Sequence, residues 1–570
     1  MNPPRNGAIP TGAIPTDAAL TDTAPGLRMP SRPQPPRAAP TTRPKISRPT
    51  LSPRATLITR MLVGLVAGLC LDAAFAPVGW WPAAVLGVAA LTLALRGGTW
   101  RTGLLIGFAA GLGEFVPLLW WLHVVTPLAW VVLAIVEAGY LAILGAALTT
   151  AQRLPAWPLW SACLWVGQEL VRDRWPLGGF GWGRLAFSQP DTPFTGYAAI
   201  GGAPLVTFAV ALSAALLALG VMQVTRVTAR PKMLASWPII AALVAAVAVP
   251  ALALLIPRPT DGRVVQVAVV QGNVPHPGTH FLGRAEQVLD NHLAQTQRLA
   301  EGIDDGTLAQ PQIVLWPENA SDVDPLTDIA VRGEIAAATR SVGAPILVGA
   351  VLNAGPDHVT NTGIVWSPTQ GPGQMYSKRH LVPFGEYIPW RGFVSHLTSL
   401  TKLVPNNFVA GHTSGALTIG PTTVADVMCF EVAFDDAVRS GVTDGGRIIV
   451  VQTNNATYMG TAETRQQLAM SQLRAVEHGR SVVVAATSGI SAIVSPDGHI
   501  ETRTAEMTSA IIDRPVVERS ALTVADHLGA APEWAMGILG GLAIIAAIAL
   551  ASPRVSQWRP RQRVRVKENL

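Results

Sequence analysis

Between residues 57 and 256 apolar positions come in long runs, and after residue 258 they alternate with polar ones. The runs lie near 57–76, 80–95, 102–122, 127–149, 156–171, 203–222 and 236–256, with a last one at 533–551. They approach the roughly 20 residues that a helix needs to cross a bilayer. Short polar or Pro/Gly turns separate them. The pattern predicts a polytopic α-helical membrane domain of eight transmembrane helices, seven in residues 55–257 and the eighth in residues 532–552. Residues 1–54 are rich in Pro, Thr, Ala and Arg with no apolar period, which reads as a disordered tail. The first apolar run starts only near Leu57, which argues against a cleaved signal peptide.

Residues 258–531 follow a different rule. The stretches RVVQVAVVQGN, PQIVLWPEN, APILVGAVLN, TTVADVMCFE, RIIVVQTNNA and RSVVVAATSGISAIVS are β-branched runs that end in polar residues. Between them, Ala285, Leu289, Leu293, Thr296 and Ala300 form one helical stripe over 284–301, and 462–478 also reads as helix. Alternating strands and helices predict a layered α/β domain, with chemistry gathered at the carboxyl ends of strands.

Composition and charge agree with a membrane setting. The chain of 570 residues is 49% hydrophobic and 14% charged, too apolar for an ordinary soluble protein. Its net charge of +6 is not a nucleic-acid surface, because the charge sits in the tails. Residues 1–60 carry nine Lys/Arg against two Asp, and residues 552–570 carry six against one Glu, so the chain between them is net acidic. Arg96, Arg101, Arg153, Arg226, Arg230 and Lys232 join both tails on one side of the predicted topology, which the positive-inside rule makes the cytoplasm. Arg172, Arg174 and Arg184, in the loop after the fifth span, are the exception. Residues 258–531 are then extracytoplasmic, and 553–570 form a basic cytoplasmic tail.

Three strand ends or following loops carry a chemically useful group: Glu318 in IVLWPEN, Lys378 in MYSKRHLVPFGEYIP and Cys429 in VADVMCFE. Each has a plain reading, as a solvated turn acid, a surface lysine and a strand-end core cysteine. Together they supply what thiol catalysis needs, a base for the proton and a cation for the oxyanion formed on attack. Cys70 and Cys163 lie in apolar runs and read as core residues, and no cysteine spacing suggests a metal or a disulfide framework. Nothing in the sequence calls for a cofactor.

The order Glu, Lys, Cys is that of the nitrilase superfamily. More closely, VVQGNVP, LWPEN, YSKRHLVPFGEYIP, CFEVAFDD and TNNATYMGTAETRQQLAMSQLRAVEHGRSVVVAATSGISAIVSPDG resemble the apolipoprotein N-acyltransferase family, over about residues 57–551. The Pro-rich basic tail and the CFE and NNATY variants are similar to its actinobacterial branch. The resemblance implies a nitrilase-like αββα sandwich set between the seventh and eighth membrane helices. It implies Glu318 as general base, Lys378 as oxyanion stabiliser and Cys429 as nucleophile. Glu386 and Glu431 match two further family carboxylates, with Glu386 orienting Lys378 and Glu431 pairing a basic group as the structural alternatives. It also implies a membrane phospholipid as acyl donor, a diacylglyceryl apolipoprotein as acceptor and the bilayer as setting, with neither nucleic acid nor an oligomeric state indicated.

Departures from the family pattern fall around the site. Phe430 stands where many members have tyrosine, so a hydroxyl beside the thiol is missing. Asn455 and Thr457 replace an acid and a tryptophan in the segment that ends at Tyr458, and His280 or Phe281 falls nearest to another family tryptophan. Residues 392–410, with Phe393, Leu397, Leu400, Leu403, Val404 and Phe408, read either as a core helix or as a mobile lid on acyl chains. Trp-rich segments at 79–81, 119–125 and 174–183 fall at the extracytoplasmic interface. Glu114 and Glu137, inside spans, read as pairing within the bundle or as functional. Two other functions stay compatible with the residues alone: a membrane-anchored amidase hydrolysing C–N bonds, and a non-catalytic polytopic binding protein.

Overall fold

The computed structural model describes residues 52–229, 237–274 and 285–551. Most of both basic tails, and Arg230, Lys232, His280 and Phe281, lie outside the described residues. Helices occupy each apolar run: α1 (Pro53–Ala74), α2 (Pro82–Ala94), α3 (Trp100–Leu118), α4 (Pro127–Ala151), α5 (Trp157–Arg172), α6 (Ala198–Ala229) and α7 (Trp237–Ala253). Their starts follow capping chemistry more than hydropathy. Ser52 accepts from the Ala55 N–H with Pro53 at the first turn, and Thr126 accepts from Leu128 N–H ahead of Pro127. Within α6, Gly201 and Gly202 break the helix, so regular helix resumes close to the expected start at 203. Pro53–Ala74, Pro127–Ala151, Thr195–Thr225 and the closing helix Ala531–Ala551 are long and apolar enough to cross a membrane.

Glycine lets α3 pack closely against its neighbours. A Cβ on Gly68 would stand 1.9 Å from the Ala110 carbonyl oxygen, and one on Gly107 would stand 2.2 Å from that of Leu141. Gly107→Leu is therefore expected to destabilise the helix bundle by about 1–3 kcal/mol through overpacking. Gly139→Leu, where an added Cβ meets nothing within 4 Å, should be close to neutral. Thermal melts of the purified protein in detergent check the difference.

The second half contains β1 (Arg263–Gln271), α8 (Ala285–Asp304), β2 (Ile313–Leu315), α9 (Ile329–Val342), β3 (Ile346–Asn353), β4 (His358–Ser367) and β5 (Gly371–Ser377). It continues with α10 (Arg391–Leu397), β6 (Asn407–Phe408), β7 (Ala416–Ile419), β8 (Thr422–Met428), α11 (Asp435–Thr443) and β9 (Ile448–Thr453). It closes with α12 (Glu463–His478), β10 (Val482–Ala486), β11 (Ala492–Val494), β12 (Ile500–Arg503), β13 (Ala510–Glu518), α13 (Val524–Leu528) and α14 (Ala531–Ala551). One sheet runs β13-β1-β2-β3-β4-β5 with β6 beside β4, and the other runs β12-β11-β10-β9-β8-β7. The central strands β1-β2-β3 and β8-β9-β10 are parallel neighbours.

These central strands are apolar on both faces because both faces are covered. Val265, Val267 and Val269 of β1 face the second sheet together with Val424, Met428, Ile448 and Val450. Ala268 and Val270 face the outer helices with Leu289, Leu299 and Ile335. On the far side, Ala425, Val427, Ile449 and Val451 join Leu468 and Leu473 of α12, which continue into Ala203, Val206 and Val210 of α6. The α/β sandwich thus shares one of its outer cores with the helix bundle. The reading of 392–410 as a core helix fails: it breaks into α10, a 3-10 turn and β6, with Phe393 67% and neighbouring Trp390 70% exposed.

Candidate active site

The candidate groups lie just beyond strand ends, two of them after the parallel strands β2 and β8 and the third after β5. Glu318 follows β2 by three residues and is buried. Lys378 follows β5 directly, with its backbone N–H bonded to the Asn361 carbonyl of β4 at 2.9 Å and its side chain only 2% exposed. The Lys378 ammonium donates to Glu318 Oε1 at 3.1 Å and to Glu386 Oε1 at 2.9 Å. Asn361 Nδ2 donates to the same Glu318 oxygen at 2.6 Å, and Asn454 N–H donates to Glu318 Oε2 at 2.9 Å. Glu386 is held in turn by the Val382 N–H at 2.7 Å, which closes the loop after β5 around the ammonium.

Cys429 sits where β8 turns into a 3-10 turn, with a left-handed φ of 49°. For a residue with a Cβ that conformation costs about 1–3 kcal/mol and must be held in place by its surroundings. Glu431 supplies the hold. Its carboxylate accepts from Met428 N–H at 2.9 Å, Arg379 N–H at 2.7 Å, His380 N–H at 3.0 Å and the Tyr376 hydroxyl at 2.9 Å. Glu431 therefore ties the cysteine elbow to the residues that follow Lys378. Its lone pairs are committed to that, and it lies beneath the elbow, not at the thiol.

Electrostatics at the site favour a neutral thiol at rest. Burial, then the charge of Glu318, push the Cys429 thiol well above its ordinary range, against the opposing pull of Lys378. Burial also raises Glu318, with Lys378 lowering it and Glu386 raising it. Burial works against the Lys378 ammonium, yet Glu318 and Glu386 more than offset it and keep the side chain charged. The arrangement can pass a proton from thiol to carboxylate at the moment of attack and present an ammonium to a developing oxyanion. A standing thiolate is not needed.

The remaining expected residues divide into two groups. Phe430 stacks on Phe180 at 5.8 Å and on Trp182 at 6.3 Å, and meets Phe434 edge-on at 5.0 Å. Tyr458 meets Trp121 edge-on at 5.0 Å, and Trp182 donates to Gln466 Oε1 at 2.7 Å. These contacts clamp the cysteine elbow to the Trp-rich segments of the helix bundle. Asn455 faces inward and donates to Glu463 and Gln467. Asn361, Thr453, Glu463 and Gln467 carry no motif that marks them individually in the sequence. Their one legible signal is polarity at positions that the structure buries completely or nearly so. Among the described residues no cluster of His, Cys, Asp and Glu is arranged to hold a metal ion.

A family model of the apolipoprotein N-acyltransferase N-terminal domain matches residues 67–216, and a carbon-nitrogen hydrolase model matches residues 266–519. An apolipoprotein N-acyltransferase of Mycolicibacterium smegmatis is 39% identical over 499 residues, covering 84% of each chain. One from Pseudomonas putida is 30% identical over 501 residues, covering 81% of this chain and 92% of its own. Among solved structures, an amidase from Nesterenkonia sp. aligns with a TM-score of 0.32 at 18% identity, over 45% of this chain and 91% of that one.

Proposed function

The chain belongs to the apolipoprotein N-acyltransferase family, and from that premise we propose that Cys429 is the nucleophile, Glu318 the general base and Lys378 the oxyanion stabiliser of its acyl transfer. The enzyme N-acylates apolipoproteins. The observation that carries the assignment of roles is the convergence at adjoining strand ends of a buried carboxylate, a buried ammonium and a thiol on a strained elbow. An amidase is not favoured, because the family match takes in the helix bundle as well as the sandwich.

In this mechanism Glu318 takes the Cys429 proton as sulfur attacks the ester carbonyl of a membrane phospholipid. Lys378, with backbone N–H groups at the elbow such as that of Phe430, holds the tetrahedral oxyanion. The carbon–oxygen bond breaks, the proton moves from Glu318 to the departing glycerol oxygen, and a lysophospholipid leaves behind a thioester. The α-amine of a diacylglyceryl-cysteine then attacks the thioester and loses a proton to Glu318. The carbon–sulfur bond breaks, and the proton returns to sulfur. Two successive acyl transfers through one thiol give ping-pong kinetics. Glu386 acts by orienting Lys378, Glu431 by holding the elbow, and Asn455 and Tyr458 by shaping the surrounding wall.

We place eight helices across the cell membrane, with both termini cytoplasmic and residues 258–531 outside. The three arginines that oppose this orientation each have a carboxylate partner. Arg172 pairs with Glu137 at 3.1 Å, Arg174 with Glu533 at 2.5 Å and Arg184 with Asp435 at 2.7 Å. Exposed Phe384, Trp390 and Phe393 give the loops after Lys378 an apolar surface suited to lipid, in keeping with a lid.

The test is a mass measurement. Purified full-length protein in detergent, incubated with phospholipid, is expected to gain the mass of one acyl chain on Cys429, and Cys429→Ala is expected to gain none. Wild-type protein without the adduct would sink the proposal. Adduct that drains to free fatty acid, while a diacylated lipopeptide stays unmodified, would point to a hydrolase.

A further inference from the structure

We propose that Gln467 is a further catalytic residue, whose side-chain N–H holds the Cys429 sulfur as thiolate forms and as it later leaves the thioester. This rests on the reading of Cys429 as nucleophile. Gln467 lies in the first turns of α12, is 2% exposed, and brings Nε2 to 3.5 Å from Cys429 Sγ. Its oxygen is already occupied, accepting from Thr453 Oγ1 at 2.9 Å and from Asn455 Nδ2 at 3.1 Å.

The orientation of that amide follows from its neighbours. Asn455 Nδ2 also faces both oxygens of Glu463, at 2.9 and 3.2 Å. Turning Gln467 over would require Asn455 to turn too, which would set its oxygen against the Glu463 carboxyl. Burial raises Glu463 to about 8. Ionised, Glu463 offers only acceptors and Asn455 must present its N–H group; protonated, it keeps one acceptor oxygen for the same contact. Glu463 thus fixes Asn455, Asn455 fixes the Gln467 oxygen, and the Gln467 N–H is left facing sulfur. Glu463 and Asn455 are positioning residues, since neither donates to the thiol.

Such a donor has a defined use in this site. The charge of Lys378 lowers the thiol, but its ammonium is shared by two carboxylates. Burial and Glu318 oppose ionisation of the thiol. A fixed neutral donor stabilises the thiolate without adding a charge that would compete for Glu318. It serves both half-reactions, because sulfur carries negative charge when it attacks the ester and again when the amine displaces it.

The experiment reads thiol ionisation directly. Full-length protein in detergent is treated with iodoacetamide across a pH series, and the peptide carrying Cys429 is followed by mass. Glu318, Lys378, Glu463 and Tyr458 face this thiol and shape its profile in every variant. Gln467→Met keeps the volume and removes the N–H. It is expected to slow alkylation at a fixed neutral pH by about tenfold, the worth of a hydrogen bond to a charged group, and to move the inflection upward by about one unit. Gln467→Glu keeps an acceptor for Thr453 and Asn455, so it decides the matter if the methionine variant does not fold. It is expected to move the inflection at least as far. Folded variants with the wild-type rate and inflection would overturn the role of Gln467 while leaving the nucleophile intact. Absence of acyl adduct on the wild type would remove both.

Discussion

Lys378→Met is expected to cut acyl-enzyme formation by about a thousandfold, the upper range for loss of one oxyanion donor. Methionine fills the space of the lysine stem but brings no charge to the oxyanion. Two further effects point the same way. Lys378 lowers Glu318 while Glu386 raises it, so its removal leaves two neighbouring carboxylates without their shared cation. Glu318 then takes up a proton more readily, because it is buried beside a like charge with no cation to offset it. The acid limb of the pH–rate profile, set by Glu318 as base, should move to higher pH. The thiol should rise as well, since the charge of Lys378 lowers it. Single-turnover acylation against pH checks all three effects. A variant within tenfold of wild type, with an unmoved acid limb, would remove Lys378 from the chemistry.

The residues that carry this argument were partly legible in the sequence. Strands buried on both faces announce themselves as β-branched runs, and β1, β2, β3, β8 and β9 were recognisable for that reason. The hairpin of β4 and β5 was not, because HVTNTGIVWS puts Thr360, Asn361 and Thr362 where a strand pattern calls for apolar residues. Asn361 serves the site, bonding Glu318 from inside the sheet, while Thr362 bonds Thr360 and Ser377. RSVVVAATSGISAIVS read as one run, but the chain turns back within it, pairing Val482 with Val494 as antiparallel β10 and β11. The helix α9 leaves little trace in the sequence because its apolar stripe is thin, with Val331, Ile335 and Val342 widely spaced among polar and small residues. At the site, the types Glu, Lys and Cys were visible but not the support for them. Glu431 could be seen as an acid near the thiol, yet its role depends on N–H groups of Arg379 and His380, far away in the chain. No local pattern encodes that.

The join between sandwich and helix bundle carries the other large expectation. Arg184→Met should destabilise the protein by about 3–5 kcal/mol, the cost of stripping one partner from buried ion pairs. Arg184 is buried between Asp435 at 2.7 Å, Asp173 at 3.1 Å, Glu169 at 3.8 Å and Glu533 at 3.9 Å. Asp435 opens α11, a few residues beyond the cysteine elbow, and also pairs with Arg474 of α12 at 2.7 Å. Although burial opposes it, Arg184 and Arg474 hold Asp435 well below the usual carboxylate range. A carboxylate depressed on folding contributes stability above its unfolded value of about 3.9 and loses it as pH falls toward the folded one. The gap in melting temperature between wild type and Arg184→Met should therefore be full at neutral pH and narrow below about pH 4. It should change little with salt, because buried pairs are poorly screened. Because Asp435 follows the 3-10 turn of the elbow directly after Phe434, the surviving folded fraction should also form acyl-enzyme more slowly. A variant that melts like the wild type at neutral pH would show that the two halves are held together by apolar packing alone.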